Sequence, residues 1–140
     1  MNSIKQKDMR TGFASEINTK PILEKFFNKT IIKSTDKYAI LDFHTEDKKI
    51  YYELKTRNIH KTQYRDIMIG YNKIVRGFEL IDKGCEIYLI WKFTNGLCYY
   101  KLDKDTFKNE WVRGGGRCDR GFNEYSQCCY IPTDLLTEII

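Results

Sequence analysis

The chain has 140 residues, 41 % hydrophobic and 14 % aromatic, with 24 Lys and Arg against 19 Asp and Glu and a formal charge of +5. That length predicts a single domain over residues 1–140, able to bury roughly 68–70 % of its unfolded surface without staples. Membrane-spanning apolar runs and a secretory-type start are both missing from the sequence, which predicts a soluble intracellular protein of cytoplasm or nucleus with no membrane partner. The mild basic excess suits a polyanionic partner without demonstrating one.

In chain order, residues 11–28 have helical spacing, with Ile17, Ile22, Leu23, Phe26 and Phe27 on one face. Pro21 either kinks this helix or opens a second one capped by Asn18 or Thr19. Residues 31–33 read as a short first strand. Two β-prone runs, 38–43 and 51–55, then flank Thr45-Glu46-Asp47-Lys48-Lys49 and predict an antiparallel hairpin. Residues 62–82 repeat apolar side chains at helical spacing through Ile67, Met68, Tyr71, Ile74, Val75, Phe78 and Ile81. Gly70 and Gly77 weaken that helix but permit close packing on a sheet. Residues 86–91 are nearly all apolar, as a central strand requires, and Asn95-Gly96 turns the chain into a strand at 97–100. A short helix is expected near Asp105, a glycine-rich basic stretch over 112–123, and a last strand over 127–131. Pro132 then opens a helical turn through Leu135 and Leu136.

Strand, long helix and strand from Glu53 to Ile87 form a β-α-β crossover, which makes those two strands parallel. The strand of Asp42 runs antiparallel to that of Glu53. The predicted fold class is α/β, a mixed central β-sheet flanked by helices in the order αβββαββ.

The hairpin carries the chemistry. With its turn centred on Asp47 and Lys48, Asp42 falls opposite Glu53, and opposed side chains stand about 4.5–5.5 Å apart at Cβ, where like charges repel. Lys55 lies two residues past Glu53 and shares its face. Two carboxylates and an ammonium set together in a sheet suit a divalent cation, since hard cations take carboxylate oxygens, and the lysine can act on a bound water or a developing negative charge. The alternative is an ordinary solvated hairpin face. Against it, Tyr38-Ala39-Ile40-Leu41 is apolar on both faces, as in a strand covered on both sides.

Other chemistries find little support. The five cysteines (Cys85, Cys98, Cys118, Cys128 and Cys129) are odd in number and contain no C-x-x-C, so reduced thiols are expected. A zinc site from Cys118, Cys128 and Cys129 lacks a familiar ligand spacing. His44 could line the cleft but reads more simply as a strand-end residue. Gly114-Gly115-Gly116 lacks the Lys-Ser/Thr of a phosphate-binding loop, and no small-molecule cofactor is expected.

Asp42, ten intervening residues and Glu53-Leu54-Lys55, within an αβββαβ order, resemble the PD-(D/E)xK nuclease superfamily with its restriction-endonuclease-like core. Gly12-Phe13-Ala14-Ser15-Glu16 resembles the Gly-x-x-x-Glu of archaeal-type Holliday junction resolvases. The sequence has Leu41 at the nominal proline position. The resemblance implies Mg²⁺, with Mn²⁺ as substitute, held by Asp42, Glu53, the Leu54 carbonyl and Glu16, with Lys55 acting on the attacking water. It also implies an assisting role for Gln63, expected on the following helix. One large subgroup has Gln-x-x-x-Tyr there, whereas this chain has Ile67 at the tyrosine position and Tyr71 one turn later.

The implied substrate is DNA, and small nucleases of this kind often work as homodimers. Two basic clusters are candidates for phosphate contacts: Arg57, Lys61 and Arg65 beside the motif, with Tyr64 among them, and Arg113, Arg117 and Arg120 in the glycine-rich stretch. The expected function is a divalent-metal-dependent DNA endonuclease hydrolysing phosphodiester bonds, with branched DNA as one candidate substrate. The alternative is a non-catalytic nucleic-acid-binding or structural protein built on the same fold.

Overall fold

The structure is a computed structural model that describes residues 4–35, 41–114 and 127–140, with the side chains of 4–14 left aside. Helix α1 (Ile4–Phe27) precedes strands β1 (Ile31–Lys33), β2 (Phe43–Thr45), β3 (Ile50–Thr56) and β4 (Asp66–Gly70). Helix α2 (Tyr71–Asp82) is followed by β5 (Glu86–Phe93), β6 (Gly96–Lys101), β7 (Val112–Arg113), β8 (Cys128–Pro132) and β9 (Thr137–Glu138). Six of these strands form a mixed sheet in the order β1-β2-β3-β5-β6-β9, and β4-β8-β7 form a smaller one. The expected mixed α/β architecture is therefore observed.

Pro21 neither ends α1 nor opens a second helix; it lies inside one continuous helix with its ring in solvent. The helix stops at Asn28, whose φ of 54° is a left-handed conformation that asparagine tolerates. The buried stripe differs from the expected one. Ser15, Thr19 and Leu23, spaced by four, face the sheet, whereas Ile17, Ile22 and Phe26 are exposed. Short side chains at 15 and 19 let the helix lie close to the strands, and the bulkier isoleucines are turned away.

The β2–β3 hairpin has the predicted register. Phe43 pairs with Tyr52 and His44 with Tyr51, so the same register brings Asp42 opposite Glu53. Its turn is held by Asp47 Oδ1, which accepts from Thr45 Oγ1 at 2.6 Å and Lys49 N at 3.1 Å, while Lys48 takes a φ of 57°. The strand itself is shorter than expected: Leu41 and Asp42 form a bend, and residues 38–40 lie outside the described residues. The predicted parallel pairing of β3 with β5 is present from Ile50↔Glu86 to Thr56↔Lys92, leaving β5 central between β3 and β6.

The expected helix over 62–82 is only half right. Residues 66–70 form β4, with Ile67 and Ile69 buried in alternation and paired across to β8, and the helix begins at Tyr71. At Gly77, α2 lies against Ile87 of β5 and Leu102 just past β6, and an added Cβ would meet Leu102 Cδ2 at 2.5 Å. The short helix foreseen near Asp105 is instead a turn followed by a single 3₁₀ turn at Asn109–Trp111, and the C-terminal turn is 3₁₀ before β9.

Two apolar clusters sandwich the large sheet. On the α2 side, Ile74 and Leu80 meet Ile87, Leu89, Trp91, Ile67, Ile69 and Ile131. On the α1 side, Leu23 meets Ile31, Phe43, Tyr52, Leu54, Ile90 and Leu97.

Cys128 is fully buried and disulfide-bonded, which corrects the expectation of reduced thiols throughout; Cys85, Cys98 and Cys129 are free. Burial pushes the Cys129 thiol up to about 12, and the zinc alternative loses one of its three ligands because Cys128 is disulfide-bonded. Cys118 lies outside the described residues. Among the described residues, no helix is long and apolar enough to cross a membrane.

Candidate active site

The site is built at the mouth of the β2–β3 hairpin, where β3 alternates its side chains between the two faces of the sheet. Tyr52 and Leu54 enter the α1-side cluster. Glu53 and Lys55 point the other way, opposite Leu89 and Trp91 of β5 and beneath α2. Glu53 is only 1 % exposed, an extreme burial for a carboxylate. Its Oε2 accepts from Lys55 Nζ at 3.1 Å and from Lys73 Nζ, on α2, at 3.3 Å. Its Oε1 is buried with no hydrogen-bond partner among the described residues.

Asp42, at the bend entering β2, sends Oδ2 to the backbone N–H of Leu54 at 2.9 Å. It therefore sits beside Glu53 and Leu54. Desolvation, with the Asp42 charge adding to it, pushes Glu53 up to about 7 against the opposing pull of Lys55 and Lys73. On the far side of Asp42, Lys33 Nζ stands 3.9 Å from its Oδ1 and 2.7 Å from Glu16 Oε2. Lys33 thus ties α1 to the hairpin, and Glu16 approaches the site through it.

The structure brings together Asp42, Glu53, Lys55 and, through Lys33, Glu16. Gln63 is treated differently. It lies in an exposed turn before β4 rather than on a helix, with its Oε1 accepting from His60 N at 3.2 Å and its Nε2 at 3.3 Å from Tyr64 Oη. His44 turns its Nδ1 onto the Thr45 carbonyl at 2.7 Å, a strand-end role.

Among the basic candidates, Lys61 is paired with Glu138. Arg57 donates to the Thr56 carbonyl at 3.1 Å, and Tyr64 and Arg65 are exposed. Arg113 stacks over Tyr130 at 4.7 Å and reaches Asp66 at 3.9 Å. With Arg65 it lines one open cleft, so the two clusters meet in space although they are far apart in sequence. Arg117 and Arg120 lie outside the described residues.

Lys33 and Lys73 were not legible as site residues. A lysine two residues past a buried isoleucine, or one on a helix, ordinarily marks a solvated face. Only the tertiary arrangement turns both toward carboxylates.

The residues suit a divalent cation in part. A fully buried carboxylate oxygen without a donor among the described residues, beside a second carboxylate, is the kind of acceptor a hard cation satisfies. Among the described residues no three His, Cys, Asp or Glu side chains gather closely enough to hold a metal between them. The donor set is thus a carboxylate pair, which suits an ion that keeps several of its waters.

A family model described as "Phage putative PDDEXK endonuclease" matches residues 5–139 of this chain. The chain belongs to that family. The match runs through α1, the hairpin and both sheets, so the nuclease resemblance carried by Asp42 and Glu53-Leu54-Lys55 extends over nearly the whole chain. Among solved structures, Hjc, a Holliday junction resolvase from the archaeal hyperthermophile Archaeoglobus fulgidus, is similar at 12 % identity, with a TM-score of 0.49 over 85 % of this chain and 94 % of that one. No curated protein matches in sequence.

Proposed function

We propose that this endonuclease-family protein is a divalent-metal-dependent deoxyribonuclease whose catalytic residues are Asp42, Glu53 and Lys55. The observation that carries the reading is Glu53 itself: a carboxylate 1 % exposed, beside a second carboxylate, with one oxygen that has no hydrogen-bond partner among the described residues. Fold stability gives no reason for such a residue, because an unsatisfied buried acid costs free energy.

Asp42 and Glu53 would hold Mg²⁺ or Mn²⁺ with the Leu54 carbonyl, and Glu16 would join them on release from Lys33. The Leu54 N–H is bonded to Asp42, and in an extended strand a residue's N–H and C=O leave on the same edge, which supports that carbonyl as a donor. A bound divalent ion supplies a nucleophilic water and neutralises the phosphate. Lys55, 28 % exposed and able to leave Glu53, donates to the attacked phosphate's oxygens and steadies the charge that builds as the P–O bond breaks. Arg57, Arg65 and Arg113 are assigned to phosphates flanking the cut, with Tyr64 beside them. Gln63, bonded to His60 and Tyr64, is assigned to shaping the turn that carries Tyr64 and Arg65.

One such site cuts one strand, so double-strand cleavage calls for a second copy of the chain. The test is cleavage of supercoiled plasmid, linear duplex, single strand and a four-way junction with Mg²⁺ or Mn²⁺ against EDTA. The four-way junction is included because Gly12 and Glu16 match the resolvase pattern. Metal-dependent cutting that Glu53→Ala abolishes supports the reading. DNA binding without cutting under any metal would instead support the non-catalytic alternative.

A further inference from the structure

Lys73 is the one charged group of the site that comes from α2, and nothing about the helix explains it. It occupies the first turn, which holds no acidic residue and whose N-cap, Gly70, makes no side-chain capping bond. A helix N-terminus carries a partial positive charge, so a lysine there is disfavoured. Yet this side chain is only 17 % exposed, less than the 28 % of Lys55, and it ends 3.3 Å from Glu53 Oε2.

Both ammonium groups thus converge on one carboxylate oxygen, and the other oxygen, Oε1, is left without a hydrogen-bond partner among the described residues. Two donors on a single oxygen restrict the rotation of the carboxylate, and either one keeps that oxygen engaged when the other departs. They also divide the work. Lys55 follows Glu53 by two residues on the same strand, and if it alone held Oε2 it could not turn to substrate without releasing that carboxylate.

We propose that Lys73 is a positioning residue: with Lys55 it anchors Glu53 Oε2, so that Oε1 faces the divalent cation and Lys55 can move to the phosphate. This rests on the metal-dependent reading above and adds to it a part played from the second helix. Lys73 touches neither water nor phosphate in this role. Its loss is felt through Glu53.

The test compares wild type, Lys73→Met, Lys73→Arg and Glu53→Gln by titration with Mn²⁺, following free Mn²⁺ by electron paramagnetic resonance, alongside melting curves and steady-state cleavage. Lys73→Met is expected to weaken Mn²⁺ binding several-fold and lower kcat by about tenfold or more, with KM for DNA within about twofold of wild type. Lys73→Arg, which keeps the cation, is expected to recover most of both.

The sign of the Mn²⁺ effect is decisive. Were Lys73 only a nearby positive charge, its removal would tighten Mn²⁺ binding, and that result overturns the proposal. So does a Lys73→Met protein that binds Mn²⁺ as wild type does, or whose main defect is a raised KM. If the loss tracks a lowered Tm and Lys73→Arg fails to restore it, Lys73 merely docks α2, and the proposal again fails. Failure of the metal reading looks different: wild type and Glu53→Gln would then take up Mn²⁺ equally poorly, which removes the proposal with it.

Discussion

The two faces of β3 are made from alternate residues of one seven-residue strand, and they obey opposite rules. Tyr52 and Leu54 enter an apolar and aromatic layer with Leu23, Phe43 and Ile90, where Phe27, Tyr52, Tyr88 and Tyr99 meet ring to ring at 4.7–5.7 Å. One residue along, Glu53 is as deeply buried but among charges, and its burial raises its energy. The α1 face holds the strand in place; the α2 face holds a group the fold would be more stable without. A site that costs stability is affordable here because its backbone is locked by the layer behind it, a common division between scaffold and functional group.

The sharpest way to break this comparison is to remove the charged side. Glu53→Ala or Lys55→Met is expected to lower DNA cleavage on the order of 10³-fold with the fold intact by circular dichroism. Cleavage within tenfold of wild type would place the chemistry elsewhere. Removal of the apolar side has the complementary effect. Leu54→Ala is expected to destabilise the protein by about 2–5 kcal/mol in urea unfolding, since it empties a packed site. A loss below about 1 kcal/mol would mean that this layer is not what anchors β3.

The third prediction sets the two faces directly against each other. Glu53 is raised to about 7 in the folded protein from an ordinary 4.5, so the folded state holds its proton more tightly than the unfolded chain does. Stability from this group is therefore full below about pH 4.5 and is lost as pH rises through about 7. Glu53→Gln keeps the shape without the charge. With chelator present it is expected to gain on the order of 2 kcal/mol at pH 8, and the gain is expected to vanish near pH 4.

Smaller effects refine the picture. Tyr52 Oη is buried with no partner among the described residues, so Tyr52→Phe should be neutral or stabilising by up to about 1 kcal/mol in thermal melts. A loss of that size would reveal a partner for the hydroxyl. Lys61→Ala, which breaks the exposed pair with Glu138, should change stability by no more than about 0.5 kcal/mol.

What the sequence revealed follows the same division between local and distant. The hairpin was legible because a five-residue polar turn fixes register, and register alone sets Asp42 against Glu53. The parallel pairing of β3 and β5 was legible from the crossover rule. Strand β4 was not. Ile67, Met68, Tyr71 and Ile74 fit a helical stripe, and although β8 was legible over 127–131, nothing local says that it captures residues 66–70, some sixty residues upstream. That error also hid Lys73, since a helix drawn from residue 62 gives no hint that this lysine sits in a first turn. Lys33 was hidden because a lysine at the end of a three-residue strand looks solvated until Glu16 is brought to it from α1. The inward stripe of α1 was misread because Ser15 and Thr19 are polar, and spacing arguments weigh the isoleucines that in fact face water.

Glu53→Gln, measured at pH 8 for both DNA cleavage with Mn²⁺ and melting in chelator, tests the central claim most directly. The account predicts that cleavage disappears while the melting temperature rises. Retained cleavage, or a melting temperature lowered as for a core residue, would contradict it.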